Sequence, residues 1–437
     1  MIVDLTVLLS LVGLIIVINE FGLGSFINQG DHAALAFGFI LLAAYLLGRI
    51  VRKIKLPMIS GYLLAGIFFG PHILGAISPS FRILSQSVLD DLSIFNSIAL
   101  GLIAFSAGGE LKMESLKERL KSISSIILWQ VIIVFLAMIV SVMLVGRFIP
   151  FLKELSFGAL FGVSLLFAVT AIANSPASTI ALIFEYRAKG SMTTSVIGVT
   201  IVKDVVVIAL FSITMMLSKQ LLVANAQADY KLLLLILWEV FGSIVFGVAL
   251  GWLLRLYMKY VSTMMPVILL ALSFIALELS HEFHLSGLMM CIAAGFYIEN
   301  FTDKGERLME AVEKYSLPIF VLFFTITGAN LQIPLLLKVM PFVVVLVSVR
   351  LLSTYASTYL GSRLANDPPV VRRYSWLGFI TQAGVTLGLA GIIGREIPGI
   401  GMEIQTIIIA GVALNQLIGP VAFRYALLES KEAQVTD

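Results

Sequence analysis

The chain has 437 residues, 59% of them hydrophobic and only 13% charged, and its mean hydropathy is +1.03. These values lie far from those of soluble globular domains and describe an integral membrane protein. The net charge of +3 is spread over short loops, which leaves no basis for a nucleic-acid partner, and the lone Cys291 excludes an intrachain disulfide framework.

Stretches able to cross ~30 Å of hydrocarbon occur fourteen times. The first, 3–21, has no basic n-region or small-residue cleavage site, and it reads as a retained helix rather than a signal peptide. The others are 33–51, 57–75, 92–109, 123–146, 156–184, 191–217, 232–254, 263–281, 285–301, 316–329, 339–361, 374–394 and 404–426. With both ends on the cytoplasmic side, 20 of the 29 basic residues fall in inside loops and 7 in outside loops. Lys203 and Arg350 are left over, each within a span.

"SGYLLAGIFFG" from Ser60 resembles "SGLMMCIAAG" from Ser286, and "AGGELK" from Ala107 resembles "TGANLQ" from Thr327, at offsets of 226 and 220 residues. The span at Pro57 runs outward and that at Leu285 inward, so the repeat is inverted, an architecture suited to alternating access. The repeats cover roughly 57–217 and 285–426.

In the sixth span, "AVTAIANSPASTIAL" puts Asn174, Ser175 and Pro176 at mid-membrane depth, and Pro176 removes a backbone donor. Freed backbone groups are tolerated there only where protein or a water-filled cavity satisfies them. A proline kink against a neighbouring helix is the plainer reading of this segment alone. "GFITQAGVTLGLAG" interrupts the matching span of the second half at Gln382, Gly384 and Thr386. Together the interruptions predict facing half-helices around a midplane ion site.

The seventh span, "GVTIVKDVVVIALF", carries Lys203 and Asp204 in an otherwise apolar run. An ionised carboxylate there costs at least ~2.5–3.5 kcal/mol on insertion scales, a cost with no packing purpose. Thr200 shares the Asp204 face, and with Asn174 and Ser175 it offers the oxygen ligands a small hard cation prefers. Helix neighbours do not face each other, so Lys203 is expected to reach a partner other than Asp204 or to titrate. Glu239, also within a span, is the rival partner for Lys203 or Arg350. Arg350 is a fixed positive charge. His281 and His284 form a weaker candidate metal pair at an outer edge, and "GVALG" (Gly247, Gly251) has the small-residue spacing of close helix packing. No span carries a Ser/His/Asp arrangement, a phosphate-binding glycine loop or a metal cluster, so the chain reads as a non-enzyme.

With these residues in hand, the sequence resembles the second large branch of the monovalent cation:proton antiporter superfamily, from about residue 33 to 426. "KLPMISGYLLAGIFFGPHILG" is similar to the family's opening signature, "LIAFSAGGELKMESL" to its third-helix motif, "TAIANSPASTIAL" to its unwound crossing helix and "GVTIVKDVVVIALF" to its ion-binding helix.

The resemblance implies an all-α polytopic fold of about fourteen helices with two crossing broken helices. It implies a homodimer in the cell (inner) membrane with cytoplasmic termini and no cofactor beyond the transported Na+ or K+ and protons. Residues 1–32 then form an extra N-terminal helix, 33–426 the antiporter domain and 427–437 a short tail. Asp204 becomes the carboxylate that binds cation or proton, Thr200, Asn174 and Ser175 further ligands, and Arg350 the supporting base.

Two departures matter: Lys203 stands where many members carry Asp or Asn, and Ala383-Gly384-Val385 where many carry an Arg-Gly-Glu-like triplet. The missing acid points to electroneutral exchange. Lys203 is further expected to release a proton when a cation binds Asp204. An anion transporter or channel on the same fold, and a transport-inactive sensor, are the alternative functions.

Overall fold

The computed structural model describes residues 4, 6–13, 29–77, 84–222, 230–260, 265–331 and 333–434. The first predicted helix, 3–21, lies mostly outside them. The longer helices begin with α1 (Gln29–Lys53), α2 (Met58–Phe69), α3 (Ser93–Gly109), α4 (Met113–Val145), α5 (Phe157–Ile172), α6 (Pro176–Tyr186) and α7 (Ser191–Leu222). They continue with α8 (Tyr230–Tyr260), α9 (Met265–Phe283), α10 (Gly287–Phe301), α11 (Gly305–Ala329), α12 (Ile333–Leu364), α13 (Pro369–Tyr374, prolonged by a 3-10 turn to Phe379), α14 (Gly384–Glu396) and α15 (Gly401–Glu429).

Among the described residues, six spans are long and apolar enough to cross a membrane, and two bent helix pairs raise the number to eight. The shortfall from fourteen has a physical source in helices such as α2 and α10. Their 12 and 15 residues cover only roughly 18 and 22 Å at 1.5 Å per residue, short of ~30 Å of hydrocarbon, so length alone does not count them as spans.

The helices sort into two packed groups. In one, α4, α5, α7, α12, α14 and α15 pack on one another; in the other, α2 packs on α1 and α11, α3 on α9, α10 and α11, and α8 on α10. The first group combines later helices of both repeats, and the second combines their first helices, α2, α3, α10 and α11, with α1, α8 and α9 from outside the repeats. This interleaving is what an inverted repeat produces.

Glycines carry the helix crossings of the second group. A Cβ on Gly66 would strike the Thr325 carbonyl and one on Gly328 the Leu63 carbonyl; across the pseudo-symmetry, Gly108 meets the Ile292 carbonyl and Gly295 that of Phe105. Gly247 and Gly251 likewise let α8 lie against the Met290 and Ala294 carbonyls. Gly108→Ala is therefore expected to overpack this crossing by about 1–3 kcal/mol. The check is a lower melting temperature in detergent than for Gly391→Ala, whose Cβ meets open space.

The loops assigned to one side by charge counting also meet in space. Lys112 pairs with Glu299 at 3.6 Å, Arg119 with Asp367 at 3.6 Å, and Lys304 donates to the Met258 carbonyl at 2.8 Å. Lys219 and Glu396, both assigned to the opposite side, pair at 2.5 Å.

Candidate functional site

The two interrupted spans are interrupted for different reasons. α5 stops at Ile172 because Pro176 has no N–H and its ring excludes the carbonyl four residues back. Ser175 then caps α6, its hydroxyl accepting the Ser178 N–H at 3.3 Å. The second break, between Phe379 and Gly384, contains no proline, and its flanking helices bend by 43°.

Each break supplies what the other lacks. The Ser175 N–H donates to the Thr381 carbonyl at 2.8 Å, and the Thr179 hydroxyl donates to the Gly378 carbonyl at 3.2 Å. Gln382 donates through Nε2 to the carbonyls of Thr170 (2.9 Å) and Ala173 (3.2 Å), while its Oε1 accepts from Asn415 at 2.8 Å. Backbone groups stranded in a dry interior are thereby satisfied from the partner break, as burial demands.

Arg350 completes this crossing. From α12 its Nε donates to the Ala171 carbonyl (2.8 Å), one terminal nitrogen to Ile380 (2.8 Å), and the other to Ala173 (3.1 Å) and Phe379 (3.0 Å). The guanidinium thus lies on the C-terminal, partially negative ends of two half-helices at once.

Lys203 is 1% exposed and does not pair with Asp204 or Glu239. Its Nζ donates to Gln130 Oε1 of α4 at 2.7 Å and lies 4.9 Å from the centre of the Phe379 ring. Gln130 in turn donates to the Thr358 hydroxyl at 2.8 Å. Glu239 is half-buried and makes no ion pair among the described residues.

Asp204 is 4% exposed, and neither of its carboxylate oxygens has a hydrogen-bond partner among the described residues. One turn earlier on the same face, the Thr200 hydroxyl accepts from Asn174 Nδ2 at 2.9 Å, and Asn174 Oδ1 is likewise unpartnered. Three oxygen atoms, the two of the Asp204 carboxylate and the Asn174 amide oxygen, are therefore buried without a donor among the described residues, Asn174 at the first break and Asp204 one turn beyond Thr200, the partner of Asn174. Native interiors rarely leave such groups unpaired unless they serve a ligand or a proton. Ser175 lies at the same break, but its hydroxyl is engaged with Ser178.

A vestibule of about 290 Å³ opens between the two helix groups, lined by Glu110, Lys112, Lys189, Thr193, Ile197, Glu299 and Glu306. Thr193, Ile197, Thr200 and Asp204 follow at helical spacings of four, three and four, so the vestibule opens on the face of α7 that carries the carboxylate. On the far side of the crossing, a cavity of about 40 Å³ is bordered by Thr170, Arg350, Gln382, Thr386 and Asn415. His281 and His284 belong to no metal-holding cluster of three or more ligands among the described residues.

Gln130, the hydrogen-bond partner of Lys203, is the buried polar residue that sequence reading passed over. The repeat offset of 220 residues, applied backwards from Arg350, lands on it, and that was the available signal.

This crossing of two interrupted helices beside a donorless carboxylate meets a family profile described as "Sodium/hydrogen exchanger, transmembrane", which matches residues 6–427. The chain belongs to the sodium/hydrogen exchanger family. Among exchangers, it is 24% identical over 363 residues to a Bacillus cereus protein named "Probable Na(+)/H(+) antiporter GerT", covering 82% of this chain and 86% of that one. It is also 24% identical to the Bacillus cereus "Na(+)/H(+)-K(+) antiporter GerN", covering 88% of this chain and 94% of the relative. The sodium proton antiporter MjNhaP1 of Methanocaldococcus jannaschii shares the fold, with a TM-score of 0.63 at 17% identity over 91% of this chain and 96% of its own.

Proposed function

We propose that this exchanger moves a monovalent cation, Na+ or K+, against protons by alternating access, with cation and proton competing for Asp204. The observation that carries the reading is the pair of unpartnered, buried carboxylate oxygens beside Thr200 and Asn174 at a helix break. A hard cation takes such oxygens, and a proton takes the same carboxylate, so occupancy by one excludes the other. No further cofactor enters this scheme. The names of GerT and GerN, given to relatives spanning most of the chain, support the same class of exchange.

The vestibule supplies the approach. Glu110, Glu299 and Glu306 outnumber Lys112 and Lys189 along its walls, and a lining with net negative charge draws cations to its mouth. We place this mouth, and both termini, on the cytoplasmic side of a cell membrane, where the Lys- and Arg-rich loops belong. The group holding both breaks is the moving body, and the other group is the scaffold through which two copies pair as a homodimer.

The placement of the two buried bases favours cation over anion exchange. Arg350 is taken up by four carbonyls and Lys203 by Gln130, so neither is turned towards a transported anion. We assign the one proton exchanged per cation to Asp204, with Lys203 remaining a donor to Gln130 throughout the cycle. Lys203→Gln is then expected to leave the cation:proton ratio at one. Removal of a positive charge near the carboxylate strengthens its hold on cation and proton alike, so the apparent cation KM falls at high pH, where the site is free of protons, and changes little at low pH. A changed ratio, measured from the gradients at which flux reverses in proteoliposomes, assigns a transported proton to Lys203 instead. The whole reading is tested by proton flux in liposomes against Na+, K+ and Li+ at several pH values, for the wild type and Asp204→Asn.

A further inference from the structure

The first turn of α7 is capped from the opposite end of the chain. The residue before the helix, Gly190, has no side chain to offer its unpaired N–H groups. Beyond α15 the backbone turns at Lys431 through a left-handed conformation (φ 60°), which delivers Glu432 to α7. Glu432 Oε1 accepts the Met192 N–H at 2.7 Å, and Oε2 accepts both the N–H and the hydroxyl of Thr193 at 2.7 Å. The Glu432 carbonyl accepts the Lys189 N–H at 2.9 Å, and the Gln434 N–H donates to the Tyr186 carbonyl at 3.0 Å. The carboxylate is buried, and a Cβ on Gly190 would occupy its place.

Two consequences bear on transport. The segment that Glu432 pins is itself a wall of the vestibule, since Ala188, Lys189, Gly190 and Thr193 line it. Furthermore, the bare N-terminus of a 32-residue helix is an array of unsatisfied N–H groups carrying about half a positive charge. Left uncovered at this mouth, that charge opposes every cation on its way to Asp204.

We propose that Glu432 is a positioning residue for exchange. It fixes the 187–190 loop and the first turn of α7 at the vestibule mouth and cancels the positive helix end there, which lowers the electrostatic barrier that Lys112 and Lys189 leave to cations entering from this side. The inference rests on the reading of Asp204 as the transported ion's carboxylate.

The test uses full-length protein in everted membrane vesicles, which present the Lys- and Arg-rich face to the medium, and in right-side-out vesicles, which present the other face. Glu432→Gln keeps the shape but turns an amide donor towards backbone donors; Gly190→Ala keeps the carboxylate on the chain but evicts it from its seat. Both variants are expected to raise the Na+ or K+ KM at the vestibule face about three- to tenfold, the scale of a lost helix-terminal charge and cap. KM at the opposite face stays at the wild-type value, and Vmax per folded transporter falls less than twofold. Hydrogen exchange across 188–196 quickens in parallel.

A merely structural staple would lower the amount of folded protein and leave the one-sided KM untouched, and that result overturns the proposal. Should Glu432→Gln fail to accumulate, Gly190→Ala decides by the same readout. Asp204→Asn in the same vesicles separates the two claims. Exchange surviving in Asp204→Asn defeats the site assignment, whereas exchange lost there together with a wild-type KM in Glu432→Gln defeats only the inference about Glu432.

Discussion

Asp204→Asn is expected to abolish coupled exchange of Na+ or K+ for protons while leaving the protein folded. The carboxylate accepts no hydrogen bond among the described residues, so its replacement by an amide of the same shape deprives no existing donor of its acceptor. Burying a neutral group instead of a charge removes a desolvation cost, and the melting temperature of the purified variant should equal or exceed that of the wild type. Transport has the opposite outlook. An amide neither carries a proton at neutral pH nor offers the charge that compensates a dehydrated cation. Proteoliposomes with the variant should show no cation-driven proton flux for Na+, K+ or Li+ at any pH.

In the wild type, competition for one carboxylate makes the apparent cation KM rise as pH falls, by up to about tenfold per unit once protons hold the site. An active Asp204→Asn protein, or a pH-independent KM, removes the shared-site mechanism.

How far the sequence discloses this arrangement depends on where the information is written. Asp204 is legible because a charge in a run such as "GVTIVKDVVVIALF" is too costly to be incidental. The first break is legible because Pro176 enforces it; the second, lacking proline, is recognisable only through its correspondence to the first. Arg350 stands out as a buried base, but its four acceptors are backbone carbonyls, which every residue carries and no letter announces.

Gln130 is hidden for another reason. A single neutral amide in "IILWQVIIV" costs little enough to pass as tolerated polarity, and only the structure places it under Lys203. Glu432 is more deeply hidden, since an acid in a polar tail reads as solvated until the chain is seen to fold back on α7. The spans read at 57–75 and 285–301 correspond to α2 and α10, which are apolar but only 12 and 15 residues long. Hydropathy reports that a segment avoids water, not whether lipid or protein covers it.

Arg350 governs the second large effect, which falls on stability before transport. Arg350→Met removes four charge-assisted hydrogen bonds and leaves the carbonyls of Ala171, Phe379 and Ile380 with no side-chain donor at the centre of the bundle. Ala173 keeps a donor in Gln382, which limits the damage on that strand. Bonds of this kind are worth ~1.5–3 kcal/mol each in soluble proteins and nearer ~0.6 kcal/mol per interhelical bond in membranes. The lower figure applied to four bonds, with the repulsion of two facing negative helix ends added, gives a loss of about 3 kcal/mol. Thermal unfolding in detergent should register this as a clearly lowered midpoint and a reduced yield of monodisperse protein.

Arg350→Lys distinguishes charge from geometry. An ammonium restores the positive charge between the helix ends, but as a single point it cannot span carbonyls on two chain segments as the guanidinium fork does. It should therefore recover part of the stability and little of the transport, because the half-helices would be held together without being held in register. Full recovery of both by lysine would mean that the crossing needs a charge and not a clamp, and the geometric role assigned to Arg350 would then be wrong.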